Sequence, residues 1–158
     1  MSGFFCIFAF DMSKKAPYCY NNELMKHING DTQMTDVWRL SIMAPWEKKC
    51  TKHPTQNPLG LLARLIQAST KPGAWILDPY SGSATTGIAA SLLDRKFLGL
   101  EVEREFLSLS KARREEIEKI QVRSDYLERL AKAKIILPPN NFFVADCPDV
   151  DYDVPWLS

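Results

Sequence analysis

Ala74-Trp75-Ile76-Leu77-Asp78-Pro79-Tyr80-Ser81-Gly82-Ser83 is the stretch that decides the fold. Four apolar residues run without interruption and end at an acid, as a strand buried in a parallel sheet reads. Ser81, Gly82 and Ser83 are small, so the turn that follows can be tight. A helix is predicted from about Ala84 to Leu93, and Lys96-Phe97-Leu98-Gly99-Leu100 gives a second strand that again ends at an acid, Glu101. In the other direction, Pro58 suits the first turn of a helix. Leu61, Leu62, Leu65 and Ile66 line one face of that helix until Lys71-Pro72-Gly73 stops it. A further helix follows from about Arg104, with Phe106, Leu109, Ile117 and Ile120 on one side. Its Lys111, Arg113 and Arg114 alternate with acids and read as a solvated face. The order helix–strand–helix–strand–helix predicts an α/β unit with parallel strands and flanking helices.

The bulk numbers set outer limits. A chain of 158 residues is enough for one modest domain. Hydrophobic residues at 46% and charged residues at 25% are ordinary for a globular protein and argue against wholesale disorder. Lys and Arg number 20 against 19 acids, so any contact with nucleic acid must rest on local patches. Cys6, Cys19, Cys50 and Cys147 are scattered with no C-x-x-C pair, which disfavours a zinc site and a secreted disulfide framework and leaves the cytoplasm as the default. The apolar run Gly3 to Phe10 is too short to span a bilayer and reads as a buried strand or part of a larger core. Residues 11 to 57 are irregular, with turn signals at Asn21-Asn22 and Asn29-Gly30-Asp31 and one short strand expected within Thr35 to Ile42. Beyond Leu137 periodicity is lost, and residues 138–158 read as an irregular acidic tail.

Parallel α/β sheets bind ligands beyond the carboxyl ends of their strands, beside helix N-termini. Asp78 lies at one such end, and Glu101, 23 residues later, lies at the next. That spacing is close to the one at which Rossmann units place a carboxylate on ribose hydroxyls. Thr85 and Thr86 can cap the intervening helix or bond to a ligand. Either acid alone reads more readily as a capping or solvated group. Together, with small residues between them, they point to a nucleoside cofactor. The absence of G-x-G-x-x-G disfavours a pyrophosphate, and with it an unrelated Rossmann-type oxidoreductase, while an acid in the turn suits an ammonium group.

These residues carry a specific resemblance. Asp78-Pro79-Tyr80-Ser81-Gly82-Ser83-Ala84-Thr85-Thr86 resembles the DPFxGSGTT signature, motif I, of the DNA N6-adenine and N4-cytosine amino-methyltransferases, with Ala84 where glycine is usual. Lys52-His53-Pro54-Thr55-Gln56-Asn57-Pro58 is similar to the KHPTQKP motif X, with Asn57 in place of lysine. Gly99-Leu100-Glu101 followed by Phe106 resembles motif II. The resemblance implies a partial Rossmann-like, S-adenosylmethionine-dependent methyltransferase fold. Within it, Asp78, Pro79, Tyr80, Ser81, Gly82, Ser83 and Thr85 would form the turn facing the methionine part of the cofactor. Thr55 and Gln56 would sit near its carboxylate and amino group. Glu101 would hold the ribose, and Val102 would lie against the adenine. His53 reads as a packed or capping residue, since a sulfonium donor needs little acid–base help.

Methyl transfer to an exocyclic amine also needs a flipped base and an in-line approach to the methyl. In this family a [D/N/S]-P-P-[Y/F/W] loop, motif IV, grips that base. The sequence contains none; Asp153-Val154-Pro155-Trp156 comes nearest, in the acidic tail. Motif X before motif I matches the β arrangement, in which motif IV and a target-recognition segment come first. The expectation is therefore residues 1–50 as a remnant of core plus a recognition-like segment, 51–137 as the cofactor-binding unit, and no catalytic residue of its own. Trp38, Arg39, Trp46, Lys48 and Lys49 mix aromatic and basic groups and are candidate DNA contacts. The implied partners are double-stranded DNA, with adenine N6 placed ahead of cytosine N4, and a separate chain carrying motif IV. The rival is a remnant or subunit that binds cofactor but methylates nothing. Only two strands are read, so exposed sheet edge and apolar helix faces predict association, with another chain or with itself, or else marginal stability.

Overall fold

The structure, a computed structural model, describes residues 19–38, 40, 47 and 56–137. Among these, seven elements run in the order α1 (Asn22–Ile28), α2 (Leu59–Ser69), β1 (Trp75–Asp78), α3 (Thr85–Leu92), β2 (Lys96–Gly99), α4 (Arg104–Ile117) and α5 (Ile120–Lys132). The two strands pair in parallel with Trp75 opposite Lys96 and Asp78 opposite Gly99, so both carboxyl ends lie level. The ladder runs on past them. Leu100 N–H donates to the Asp78 carbonyl and Ser81 N–H to that of Leu100, each at 2.9 Å.

Helix α2 buries Leu59, Leu62, Ala63 and Ile66, the i, i+3, i+4, i+7 stripe of an amphipathic helix. Leu61 and Leu65, expected on that face, lie half-buried at its margin. Pro58 occupies the position before the helix rather than its first turn. The Glu47 carboxylate accepts from Leu59 N–H at 2.8 Å and satisfies one of the first-turn donors that a helix leaves open. The core gathers α2, α3, the ends of α4 and α5, and Ile135 and Ile136 after α5, with Ile76 of β1 and Phe97 of β2 packed against it. Gly87 allows α3 to approach β2 closely, since a Cβ there would lie 2.7 Å from the Phe97 ring.

Several features depart from the sequence reading. First, the strands are not buried on both faces: Trp75, Leu77 and Leu98 are 65%, 63% and 54% exposed on the face away from α2 and α3. Second, α1 forms within the stretch read as irregular. Asn21 is buried and donates from its side chain to the Gln67 and Thr70 carbonyls, the latter at 3.0 Å, so α1 is docked on the open C-terminal end of α2. Asn29-Gly30-Asp31 does terminate it, with positive φ at Gly30 and Asp31. Third, Thr35–Trp38 and Leu40 form no strand; the remainder of that expected element lies outside the described residues. Fourth, the last helix is two. Glu118 and Lys119 separate α4 from α5, and Ile120, read as part of the apolar face, is exposed. Cys19, just before α1, is disulfide-bonded, which the scattered cysteines did not predict.

Candidate functional site

The site lies where β1 and β2 end. Asp78 closes β1, and its carboxylate is used twice within the turn. One oxygen accepts from Tyr80 N–H at 3.1 Å and the other from the Thr86 hydroxyl at 2.6 Å. A short acid two residues before a turn amide forms such a loop readily. The second bond ties the end of β1 to the first turn of α3. Asp78 therefore braces the turn as well as lying beside the open strand ends.

Glu101 braces it from the other strand. One carboxylate oxygen accepts from Gly82 N–H at 2.7 Å and the other from Glu103 N–H at 2.8 Å. Gly82 has φ of 49°, a conformation glycine adopts without strain. The turn after β1 and the acid after β2, recognised separately in sequence, are thus joined by a direct hydrogen bond. A carboxylate offers about four acceptor directions, so these two amides do not exhaust what such a group can hold.

Pro79 and Tyr80 project from the turn, and Tyr80 is 91% exposed; Val102, after Glu101, is 93% exposed. Two large apolar side chains in solvent beside a polar turn are surface on which a flat ligand can lie. Ser81 is half-buried. Ser83 and Thr85 are buried, and their hydroxyls face into the protein, 3.4 Å from each other. Gln56 is buried and donates to the Glu47 carbonyl at 3.4 Å, just before α2. Thr55 and His53 lie outside the described residues.

The sequence missed the residue on which Ser83 and Thr85 converge. Arg113 of α4 reads as solvated, yet it is only 5% exposed. Its Nη1 donates to the Ser83 carbonyl at 2.6 Å and lies 3.1 and 3.0 Å from the Ser83 and Thr85 hydroxyls. The signal was its spacing. Arg113 lies four residues after Leu109 and four before Ile117, on the inward stripe. Lys111 and Arg114 are exposed as read, and Arg114 pairs with Glu118 at 3.1 Å.

Of the candidate nucleic-acid contacts, Trp38 alone is described. It is half-buried, donates from its indole to the Thr35 carbonyl at 2.7 Å, and stacks at 5.5 Å on the guanidinium of Arg64. Burial holds the Arg64 side chain below the usual arginine pKa. Arg39, Trp46, Lys48 and Lys49 lie outside the described residues. No group of metal-ligating side chains occurs among the described residues, and no helix there is long and apolar enough to cross a membrane.

A family model described as DNA methylase matches residues 6–112. The chain is 51% identical over 118 residues to Type II methyltransferase M2.MboI of Moraxella bovis, covering 75% of this chain and 43% of that protein. It is 50% identical over 102 residues to Type II methyltransferase M2.DpnII of Streptococcus pneumoniae, covering 65% of this chain and 38% of that protein. Among solved structures it resembles the M1.HpyAVI–SAM complex, with 35% identity and a TM-score of 0.50 over 63% of this chain and 45% of that one. The chain thus spans less than half the length of the curated relatives it matches.

Proposed function

The chain belongs to the DNA methylase family, and from that premise we propose that it holds S-adenosylmethionine as the cofactor-binding part of a site-specific DNA amino-methyltransferase. The observation that carries this reading is the Glu101–Gly82 hydrogen bond, which joins the acid after β2 to the turn after β1 at the carboxyl end of the sheet. The donor set suits the cofactor. Two carboxylates, Asp78 and Glu101, border a turn of small residues, which favours a ligand carrying positive charge and vicinal hydroxyls over a phosphate.

When bound, the sulfonium supplies an electrophilic methyl group. Glu101 would hold the ribose hydroxyls, sharing its oxygens with the Gly82 and Glu103 amides, and Val102 would lie against the adenine. Asp78 and the turn Pro79 to Ser83 would face the methionine part, with Thr55 and Gln56 near its charged end. Ser83 and Thr85, whose hydroxyls turn toward Arg113, would act by shaping that turn.

The base-gripping [D/N/S]-P-P-[Y/F/W] sequence does not occur in these 158 residues. We read this chain as requiring motif IV from elsewhere to transfer a methyl group to DNA. The exposed Trp75, Leu77 and Leu98 support that association, because contiguous apolar surface in water marks a face that is covered in the working assembly. The rival, a cofactor-binding remnant or subunit without transferase activity, is favoured by the same missing loop. The compartment this reading implies is the cytoplasm, where the Cys19 disulfide would be reduced.

Transfer of labelled methyl from S-adenosylmethionine to mixed-sequence DNA separates the two. Activity is expected only when a second polypeptide carrying D-P-P-Y is present, and the labelled nucleoside distinguishes adenine N6 from cytosine N4. Activity of the chain alone would refute the requirement for motif IV. No activity with any such polypeptide, while cofactor binding persists, would favour the remnant.

A further inference from the structure

Three groups clamp the turn after β1, and only two of them face the strand ends. Asp78 holds Thr86 and Tyr80 N–H, and Glu101 holds Gly82 N–H. The third, Arg113, grips the same turn from behind, out of α4, at Ser83 and Thr85. The residue between those two anchors is Ala84, which has φ of 56° and ψ of 38°. That left-handed conformation is unfavourable for any residue with a Cβ. Helix α3 starts directly after it, and Ala84, at the N-cap, has no polar side chain with which to cap the first amides. The left-handed turn therefore needs holding by something outside itself. A guanidinium with little access to solvent, donating to the carbonyl before Ala84 and lying against the hydroxyl after it, is suited to that task, because charge-assisted hydrogen bonds are the stronger kind.

We propose that Arg113 is the positioning residue of the cofactor turn: it holds Ala84 in the left-handed conformation and so fixes the surface that meets the methionine part of the cofactor. The inference rests on the cofactor reading above. Arg113 lies behind the turn and acts through Ser83 and Thr85, without touching the ligand. Its loss would therefore be felt by the part of the ligand that meets the turn, and far less by the adenosine part held at Glu101.

The test compares two probes by calorimetry on the full chain. These are S-adenosylhomocysteine, and 5′-methylthioadenosine, which keeps the nucleoside and sulfur but lacks the amino-acid part. Arg113→Met is expected to weaken S-adenosylhomocysteine about tenfold or more, as loss of buried charge-assisted bonds does. Affinity for methylthioadenosine should change less than about twofold on the same scale. Arg113→Lys should recover part of the loss. Ala84→Gly placed on Arg113→Met should recover more, since glycine holds the conformation without help. Equal weakening of both probes, or of neither, in a variant that keeps its unfolding transition would overturn the inference. If Arg113→Met does not fold, Arg113→Lys carries the same comparison with the same two outcomes. Wild-type chain that binds neither probe overturns the cofactor reading itself, and this inference with it.

Discussion

The two faces of the β1–β2 pair are built from neighbouring residues and have opposite fates. Ile76 and Phe97 point into the core under α2 and α3, and Gly87 lets α3 come within contact of the Phe97 ring. Trp75, Leu77 and Leu98 point the other way and are more than half exposed. Alternation along a strand sends each successive side chain to opposite faces, so an all-apolar strand needs two covering layers. The packed face supplies the stability of this unit. The open face has an apolar composition that only a further layer would use.

The contrast predicts a gradient of mutational cost. Ile88→Ala, in the core of α3, should destabilise most, by about 2–5 kcal/mol, read as a lowered midpoint in urea. A loss below about 1 kcal/mol would mean that the α3 side is no better packed than the open one. Gly87→Ala should follow at about 1–3 kcal/mol, because its methyl meets the Phe97 ring at 2.7 Å. The turn from β1 into α3 should respond in the opposite direction. Ala84→Gly relieves a left-handed alanine and is expected to raise stability by up to about 1 kcal/mol, less the extra freedom glycine has when unfolded. The smallest effect belongs to the open face. Leu77→Thr, alone or with Leu98→Thr, should stay within about 0.5 kcal/mol while reducing self-association in sedimentation. A large loss of stability there would show that the face is covered in the isolated chain.

Much of this was legible in the sequence. Trp75 to Asp78 and Lys96 to Gly99 read as parallel strands because short apolar runs ended at acids. The turn after Asp78 was readable as a tight one because small residues, Ser81 to Ser83, follow the strand end. What the sequence hid was tertiary. Asn21-Asn22 reads as a turn signal, yet Asn21 spends its amide on the end of α2 and lets a helix begin behind it. Arg113 sits among charges that do face water, and its spacing from Leu109 and Ile117, the one hint in the sequence, is outweighed by that charged setting until α4 is seen packed on α3. The break at Glu118-Lys119 involves no proline or glycine, so local chemistry did not announce two helices. Ala84 was visible as a departure from the family's glycine. Its meaning, a strained turn needing an external clamp, required the backbone angles.

Whether the acid after β2 and the turn after β1 form one cofactor site is tested by S-adenosylhomocysteine binding, measured by calorimetry on the wild-type chain and on Glu101→Ala, with folding of both verified by circular dichroism. The wild type should bind, and the variant should bind about tenfold or more weakly. No binding to the folded wild type, or equal affinity of the two proteins, would contradict one such site.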